Sequence, residues 1–464
     1  LNLRGIPCDP HLASTIIDIK DLHLDTINEQ ITRLTKGAIT KATQTQRLTK
    51  YLKLPELGRE FLETKADAYI RTEKQRKLVD LRLSASKTST AKYDVLLASV
   101  CDDDRMHGVL MYHAASQYAR YGGSLIQPHN LPRPKMKHEE LMKVVRLLHS
   151  SRSVNTKYKL LRKKYGNDLM QVFSDLIRSG LWADAEYLFA VCDYSQVEAR
   201  ILAWESDCKK LLNEFRGGKD PYLGMGSTIF KRRITKKDKF ERSLGKACIL
   251  GAGFGMSGYK FWVTCNGWGI PVERELADDS IVAYRERYEE IPQLWYRVND
   301  AILNCVDNRT VVEVSNCMWR MTEEPRPTLE CILPSGKSMY YPFPEIRNVP
   351  APWNNDRMID QLYYKTWDLK MHRFVRTSTY GAKLVENMTQ AIARELLAYT
   401  LLKLDDKGLP VLLHVHDEVV AHVRASKAER AFSLMQSTMS RAPDWARGIP
   451  LAAEGYTDER FKKD

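Results

Sequence analysis

The sequence predicts an α+β protein in which helices predominate and a few strands lie far apart in the chain. Three observations carry that expectation. Apolar residues recur at helical spacing, with many Lys and Arg between them, across 11–95 and again across 134–180. EYLFAVCDYS (186–195) is an aromatic and β-branched run ending near an acid, like a buried strand, and LPVLLHVHDEVVAHV (409–423) reads as a hairpin around His416-Asp417-Glu418. Between these two lies a long helical and irregular stretch, without the strand–helix alternation of a doubly wound sheet.

The chain has 464 residues, enough for roughly two to four domain-sized units. RTEKQRKLVDLRLSASKTSTAKY (71–93), KMKHEELMKVVRLLHSS (135–151) and KYKLLRKKYG (157–166) are strongly basic. Each is either a solvated helix face or a surface that tracks phosphates. Overall 71 Lys+Arg oppose 58 Asp+Glu, a net charge of +13 that attracts polyanions and makes nucleic acid a candidate partner. A hydrophobic content of 44% is that of an ordinary globular protein. No apolar run is long enough to span a membrane, and LNLRGIPCDP has no secretory core, so no membrane partner is expected. Nine cysteines occur with no C-x-x-C and no Cys/His ligand spacing, which points to a reducing, cytoplasmic compartment. Starting without Met, the chain is expected to be a fragment.

Gly253-Phe-Gly255-Met-Ser-Gly258 spells G-x-G-x-x-G, after the apolar run Ala247–Leu250 and twenty residues before Glu273. That is the pattern of a dinucleotide-binding turn, which needs a strand before it and a βαβ unit around it. The preceding run instead reads as a helix carrying Arg242 and Lys246, and no βαβ unit follows. The glycines therefore read as places where backbone comes close to a partner and a helix can bend.

Asp193 ends a strand-like run and precedes Ser195-Gln-Val-Glu198, the S-x-x-E of a capping box opening a helix. A carboxylate there either completes the cap or holds a hard cation. Asp417 and Glu418 read as two acids at a hairpin tip, an exposed turn or a charge pair that a metal compensates. Side by side, Asp193 and Asp417 would make a clamp for two ions roughly 3.5–4 Å apart, as phosphoryl transfer uses. Arg242 and Lys246 lie one helical turn apart with Leu250 next in line, which suits a triphosphate tail with a sugar or base beyond it. A solvated basic face is the alternative.

Together and in order, Asp193-Tyr-Ser-Gln-Val-Glu198, Arg242-x3-Lys246-x7-Phe254-Gly255 and His416-Asp417-Glu418 resemble the three polymerase motifs of family A DNA polymerases. Gln127–Arg133, Leu333–Gly336 and Tyr380–Asn387 resemble segments of its phage and prophage branch, so the likeness covers nearly the whole chain. The resemblance implies a right-hand fold, a palm with an antiparallel sheet and helical fingers and thumb. It divides the chain into a thumb and N-terminal helical region (1–95), a first palm part (96–205) with a helical insertion at about 134–180, fingers (206–375) and a second palm part (376–464). It implies an enzyme that adds dNTPs to the primer 3′-hydroxyl on primer-template DNA. Asp193, Asp417 and the Tyr194 backbone carbonyl would bind two Mg²⁺ ions, with Mn²⁺ as a substitute, and Glu418 would support that site. Arg242, Lys246 and Tyr222 would hold the triphosphate, Lys246 protonating pyrophosphate. Gln196, Leu250 and Phe254 would line the nucleotide, and Glu198 would be the gate against a 2′-hydroxyl. Arg120, Gln390 and His416 would contact primer–template. A monomer is implied, in the host cytoplasm if phage-encoded, with an unidentified processivity factor as a candidate partner.

Two positions depart from the family pattern. Phe254 stands where a Tyr hydroxyl usually bonds the gate glutamate, and Leu250 where many relatives carry Phe or Tyr, which predicts altered discrimination of dideoxynucleotides. No F-D-x-E-T-like exonuclease signature occurs, so the fragment is expected to lack proofreading. Phage-type DNA replication is the expected role. A single-subunit RNA polymerase-like enzyme is the nearest alternative, opposed by Glu198 and by HDE in place of HDS. A catalytically inactive DNA-binding relative is the other.

Overall fold

The computed structural model of the chain describes residues 1–85, 87–114, 120–351, 353–368 and 371–463. A short strand β1 (Ile6–Pro7) leads into α1 (Pro10–Leu34). Its start is fixed twice: Pro10 presets the first-turn φ, and the Asp9 carboxylate accepts from the Leu12 amide at 2.9 Å. Leu12, Ile16, Ile19, His23, Ile27 and Ile31 form the buried stripe that helical spacing requires. The stripe serves two cores. Ile27 and Ile31 pack with α2 (Thr45–Leu52), α3 (Arg59–Thr64) and α4 (Glu73–Ala85). Leu12, Ile16 and Ile19 pack with α5 (Lys92–Ser99), α6 (His138–His149), α7 (Val154–Tyr165) and α8 (Leu169–Leu176). The minor strand β2 (Arg105–Met106) pairs with β1, and β3 (Leu110–Met111) with β4 (Gly122–Gly123).

Next comes β5 (Tyr187–Tyr194), followed by seven helices: α9 (Val197–Glu205), α10 (Lys209–Arg216), α11 (Pro221–Ile229), α12 (Lys239–Gly251), α13 (Gly258–Gly267), α14 (Arg274–Arg287) and α15 (Glu290–Asn308). Two antiparallel sheets then interrupt the helices. One is β6 (Val312–Val314), β7 (Cys317–Thr322), β8 (Thr328–Ile332) and β9 (Ser338–Pro342); the other is β10 (Glu345–Ala351), β11 (Asn354–Asp368) and β12 (Arg373–Thr379). This corrects the expected helical and irregular stretch. The first sheet hides behind short strands with only partial alternation, such as Cys317 and Trp319 buried beside a less buried Met318. The second has one buried residue on each of β10 and β12 and so lacks an apolar signature. The chain ends with α16 (Gly381–Asp406), β13 (Val411–Val415), β14 (Glu418–Arg424), α17 (Ala428–Met439) and β15 (Ala453–Asp458).

The central sheet has the order β13-β14-β5-β15, antiparallel throughout. Its strands read as continuous apolar runs because both faces are covered. Phe189, Val191, Leu413, Val415 and Val420 face the α1–α8 core, while Ala190, Cys192, Val419, Ala421 and Ala453 face the core built on α9–α16. Each fully buried Val, Leu or Phe contributes roughly 1.5–3 kcal/mol, so the sheet is clamped from both sides.

Glu205, at the end of α9, is 3% exposed and lies 2.8 Å from Ser315 Oγ and 3.2 Å from Asn316 Nδ2, on the β6–β7 turn. Burial pushes its carboxyl up to about 7, against the lowering by those two contacts. A raised folded value means that folding takes up a proton, so the stabilisation is complete below about 4.5 and is lost as pH rises through about 7. Glu205→Gln, neutral throughout, is expected to flatten the fall in unfolding free energy across this window by on the order of 3 kcal/mol. Urea unfolding at pH 5 and pH 8 measures it, and parallel curves for the two proteins would refute the assignment.

Candidate active site

In the β5–β14 register Asp193 stands directly opposite Glu418, and residues opposite each other share a face. Val415 pairs with Glu418, leaving His416 and Asp417 as a two-residue turn with φ +58° at His416. A positive φ at that position is ordinarily given to Gly, and here tertiary contacts hold it. His416 Nε2 lies 3.0 Å from the His129 carbonyl, and the two rings meet edge to face at 5.4 Å. Asp417 is therefore at the tip, as the sequence implies, but Glu418 is not. It is the first residue of β14 and is 2% exposed, because the two-residue turn closes before it. The Tyr194 amide donates to the Asp417 carbonyl at 3.2 Å, and its hydroxyl and Thr400 on α16 are 2.7 Å apart.

Burial, with neighbouring Asp193 adding to it, pushes the Asp417 carboxyl up to about 8. Glu418 is raised as well, by burial against the pull of Lys463. That lysine was not anticipated. Its Nζ lies 3.0 Å from Asp193 Oδ2 and 3.1 Å from Glu418 Oε2. It is delivered by a tail pinned through Phe461, which is fully buried, and through Arg460, whose Nη2 lies 2.7 Å from the buried Asp9 carboxylate. One ammonium does not satisfy three acids. Asp193 Oδ1 and Glu418 Oε1 are buried with no hydrogen-bond partner among the described residues.

A cavity of about 230 Å³ adjoins this point, lined among others by Arg120, Gln196, Glu198, Leu250, Gln390, His416 and Asp417. The Gln390 amide donates to Glu198 Oε1 at 2.6 Å, and Arg120 Nη2 lies 3.9 Å from the same oxygen. That hydrogen bond overturns the expected capping box. The first turn of α9 has Gln196 as its cap, at φ +48° and without a side-chain bond, while the Ser195 amide donates to the Ala452 carbonyl. A partner on α16 outcompetes the local cap.

Arg242, Lys246 and Leu250 share one face of α12, as the spacing predicts. Arg242 Nε lies 2.9 Å from Asp220, which also caps α11 through the Tyr222 amide. Arg242 and Lys246 both sit over the Tyr222 ring, at 5.4 and 5.9 Å. The buried Tyr222 hydroxyl engages Gln196, which links this cationic cluster to the cavity. Phe254 stands apart, half-buried in a 3-10 turn after α12 and outside the cavity lining. The run before the glycine motif is helix, so the dinucleotide reading fails. Gly255 has φ +77°, and a Cβ on Gly258 would overlap the Asp278 carboxylate.

Cys101, Asp103 and His107 form a separate candidate metal-binding group, with donor atoms within 4.8 Å of one another and His107 Nε2 at 3.2 Å from Asp103. No ligand spacing was recognised there, because the loop carries a single Cys and a single His. No described helix is long and apolar enough to cross a membrane.

The fold has a counterpart among solved structures. It is similar to the POL domain of Pol1 from M. smegmatis, solved in complex with DNA primer-template and dNTP, with a TM-score of 0.61 at 15% identity, over 99% of this chain and 67% of that one. Residues 169–321 match the model for DNA polymerase family A. The DNA polymerase of Bacillus phage SP02 is 29% identical over 473 aligned positions, which cover this whole chain and 69% of the phage protein. DNA polymerase I of Helicobacter pylori is 33% identical over 28% of this chain, and the thermostable enzyme of Thermus thermophilus 23% identical over 60%. The chain spans only 14% and 27% of those two bacterial proteins. Residues 169–321 thus carry the match to family A, and over its whole length the chain is similar to a phage DNA polymerase.

Gly245 lies between Arg242 and Lys246 where α12 crosses α11. A Cβ there would overlap the Tyr222 carbonyl and come 2.8 Å from the Gly226 nitrogen. Gly245→Ala is expected to cost about 1–3 kcal/mol in urea unfolding, since backbone cannot yield as a flexible side chain does. An unchanged midpoint would show that the two helices are not in close contact.

Proposed function

We propose that this chain copies a DNA template by adding dNTPs to the primer 3′-hydroxyl, in phage-type replication, without proofreading by these residues. The single observation behind the mechanism is the gathering of Asp193, Asp417 and Glu418 at one sheet end, where Asp193 Oδ1 and Glu418 Oε1 are left partnerless. An all-oxygen, carboxylate-rich donor set fits a hard divalent cation. Asp193, Asp417 and the Tyr194 carbonyl would hold two Mg²⁺ ions, or Mn²⁺, whose positive charge lowers the hydroxyl pKa and stabilises attacking and leaving oxygens. Glu418, clamped by Lys463, keeps Asp193 in place across the strand pair. Arg242 and Lys246 grip the triphosphate, and Lys246 gives a proton to the departing pyrophosphate. Tyr222 sets the spacing of those cations through its ring. Glu198, oriented by Gln390, crowds the 2′ position of the sugar and so favours dNTPs. Leu250 borders the nucleotide and Phe254 follows it in the turn after α12, while Arg120, Gln390 and His416 meet primer–template. On this reading residues 1–95 are the thumb, 206–375 the fingers, and 96–205 with 376–464 the palm. The chain works as a monomer in the host cytoplasm, with an unidentified processivity factor as a further partner.

Asp417→Ala is expected to lower primer extension by about a thousandfold or more while leaving primer–template affinity within a few-fold of wild type. Extension retained in that variant would remove the mechanism. Extension assays with gel-shift titrations read both quantities.

Leu250 is 40% exposed and lines the cavity together with Asp417. Leu250→Tyr is expected to shift the ratio of dideoxynucleotide to deoxynucleotide incorporation at least several-fold in single-nucleotide kinetics. Identical ratios in the two proteins would exclude Leu250 from the sugar pocket.

A further inference from the structure

A second cavity, of about 280 Å³, lies against the α6–α8 side of the chain and is lined by Lys135, Lys137, His138, Arg178, Lys462 and Lys463, among others. Arg178 is only 7% exposed. Its Nε and Nη2 donate to the Pro132 and Leu131 carbonyls at 3.1 and 3.0 Å, and Phe461 packs on its plane at 5.2 Å. Its Nη1 is buried without a partner. A guanidinium stays charged at every accessible pH, and leaving one of its N–H groups unpaired in a buried place is costly.

The Glu418 carboxylate attracts this charge through space but leaves Nη1 without a hydrogen bond, and the other acids nearby are engaged elsewhere. Asp175, the one carboxylate of the lining, accepts from the Lys135 and Met136 amides at 2.9 and 3.0 Å and from Gln171 at 2.6 Å. Asp458 is taken by Lys462 at 2.7 Å and by His138 at 3.4 Å. Lys463 is spread over Asp193 and Glu418. Among the described residues Lys135 and Lys137 are exposed and form no ion pair. The cavity thus holds a surplus of donors and positive charge, and one of its lining residues, Arg178, keeps a buried N–H group without a partner. Phosphate oxygens are the acceptors that such a set matches.

We propose that this cavity binds a phosphate group. The ligand is either a phosphodiester of the bound nucleic-acid strand or free inorganic phosphate or pyrophosphate. Through Lys463 the cavity touches the carboxylates where the primer end is placed, and in this respect the inference rests on the polymerase reading.

The test uses the whole chain and the double variant Lys135→Ala/Lys137→Ala, whose side chains are exposed and lie outside the catalytic set. Equal melting temperatures of variant and wild type in chloride confirm that both are folded. In the first arm, inorganic phosphate and then pyrophosphate are titrated at matched ionic strength. A rise in wild-type melting temperature that the variant lacks assigns the site to free phosphate. In the second arm, primed-template affinity is measured against salt. A slope of log Kd on log salt lower by about one to two in the variant assigns it to the strand. Arg178→Lys, which keeps charge and loses the fork, should weaken whichever response is found. If the double variant matches wild type in both arms, the proposal is overturned. A variant that also extends primers normally leaves the polymerase reading standing; a wild-type chain that extends no primer removes that reading, while the phosphate arm still tests the cavity.

Discussion

The structure depends on a concentration of negative charge at one end of a buried sheet. Asp193 and Glu418 face each other across β5 and β14, and Asp417 follows in the turn. Carboxylates so placed repel one another and are poorly solvated, which is why burial and Asp193 push Asp417 up to about 8. Left to itself, a hairpin with this sequence would open. It stays closed because β5 and β14 are packed from both faces, Phe189 and Val420 into one core and Ala190 and Val419 into the other. The apolar runs therefore hold acids where acids alone would not gather. Lys463 offsets part of the repulsion and leaves two oxygens free.

The same sheet end collects groups from distant parts of the chain. Arg120 comes from beyond β3, Glu198 from α9, Leu250 from α12 and Gln390 from α16, and all line one cavity with Asp417. α16 does much of this gathering. Thr400 anchors Tyr194, Gln390 fixes Glu198, and Ala382 packs so closely on Gly255 that a Cβ on the glycine would lie 2.8 Å from the alanine methyl. One helix thereby ties the strand end, the acid of α9 and the turn after α12 to a common frame.

Much of this was legible in the sequence where the signal is periodic or local. The helices of 11–95 and 134–180, strand β5, the β13–β14 hairpin and the common face of Arg242, Lys246 and Leu250 follow from spacing. The failures have physical causes. Ser195 and Glu198 have the spacing of a capping box, but Gln390, almost two hundred residues away, takes the glutamate. Glu418 sits on the strand because turn length, which hydropathy does not encode, is two residues. Lys463 and Arg178 carry no sequence signal, since their partners are set by tertiary packing. The strands between 312 and 379 are short or solvent-facing, so alternation is weak. The motif Gly253–Gly258 shows the reverse error, a strong pattern whose glycines serve helix packing.

The absence of a hydroxyl at Phe254 bears on how Glu198 is held. In the family pattern a Tyr at this position bonds the gate glutamate. Here Glu198 Oε1 accepts from the Gln390 amide at 2.6 Å with Arg120 3.9 Å away, while Phe254 packs half-buried against the α9–α16 core. A hydrogen bond to an ionised acceptor is about twice as strong as a neutral one, so the amide is a sufficient anchor. Its origin differs, however. A Tyr at 254 would tie the glutamate to the segment after α12, the helix carrying the cations, whereas Gln390 ties it to α16 and the sheet. In this chain the orientation of Glu198 is therefore set by α16, which also anchors the strand end that bears the carboxylates, and not by the segment after α12. On the proposed reading, selection against the 2′-hydroxyl then rests on α16 rather than on the helix that carries the cations.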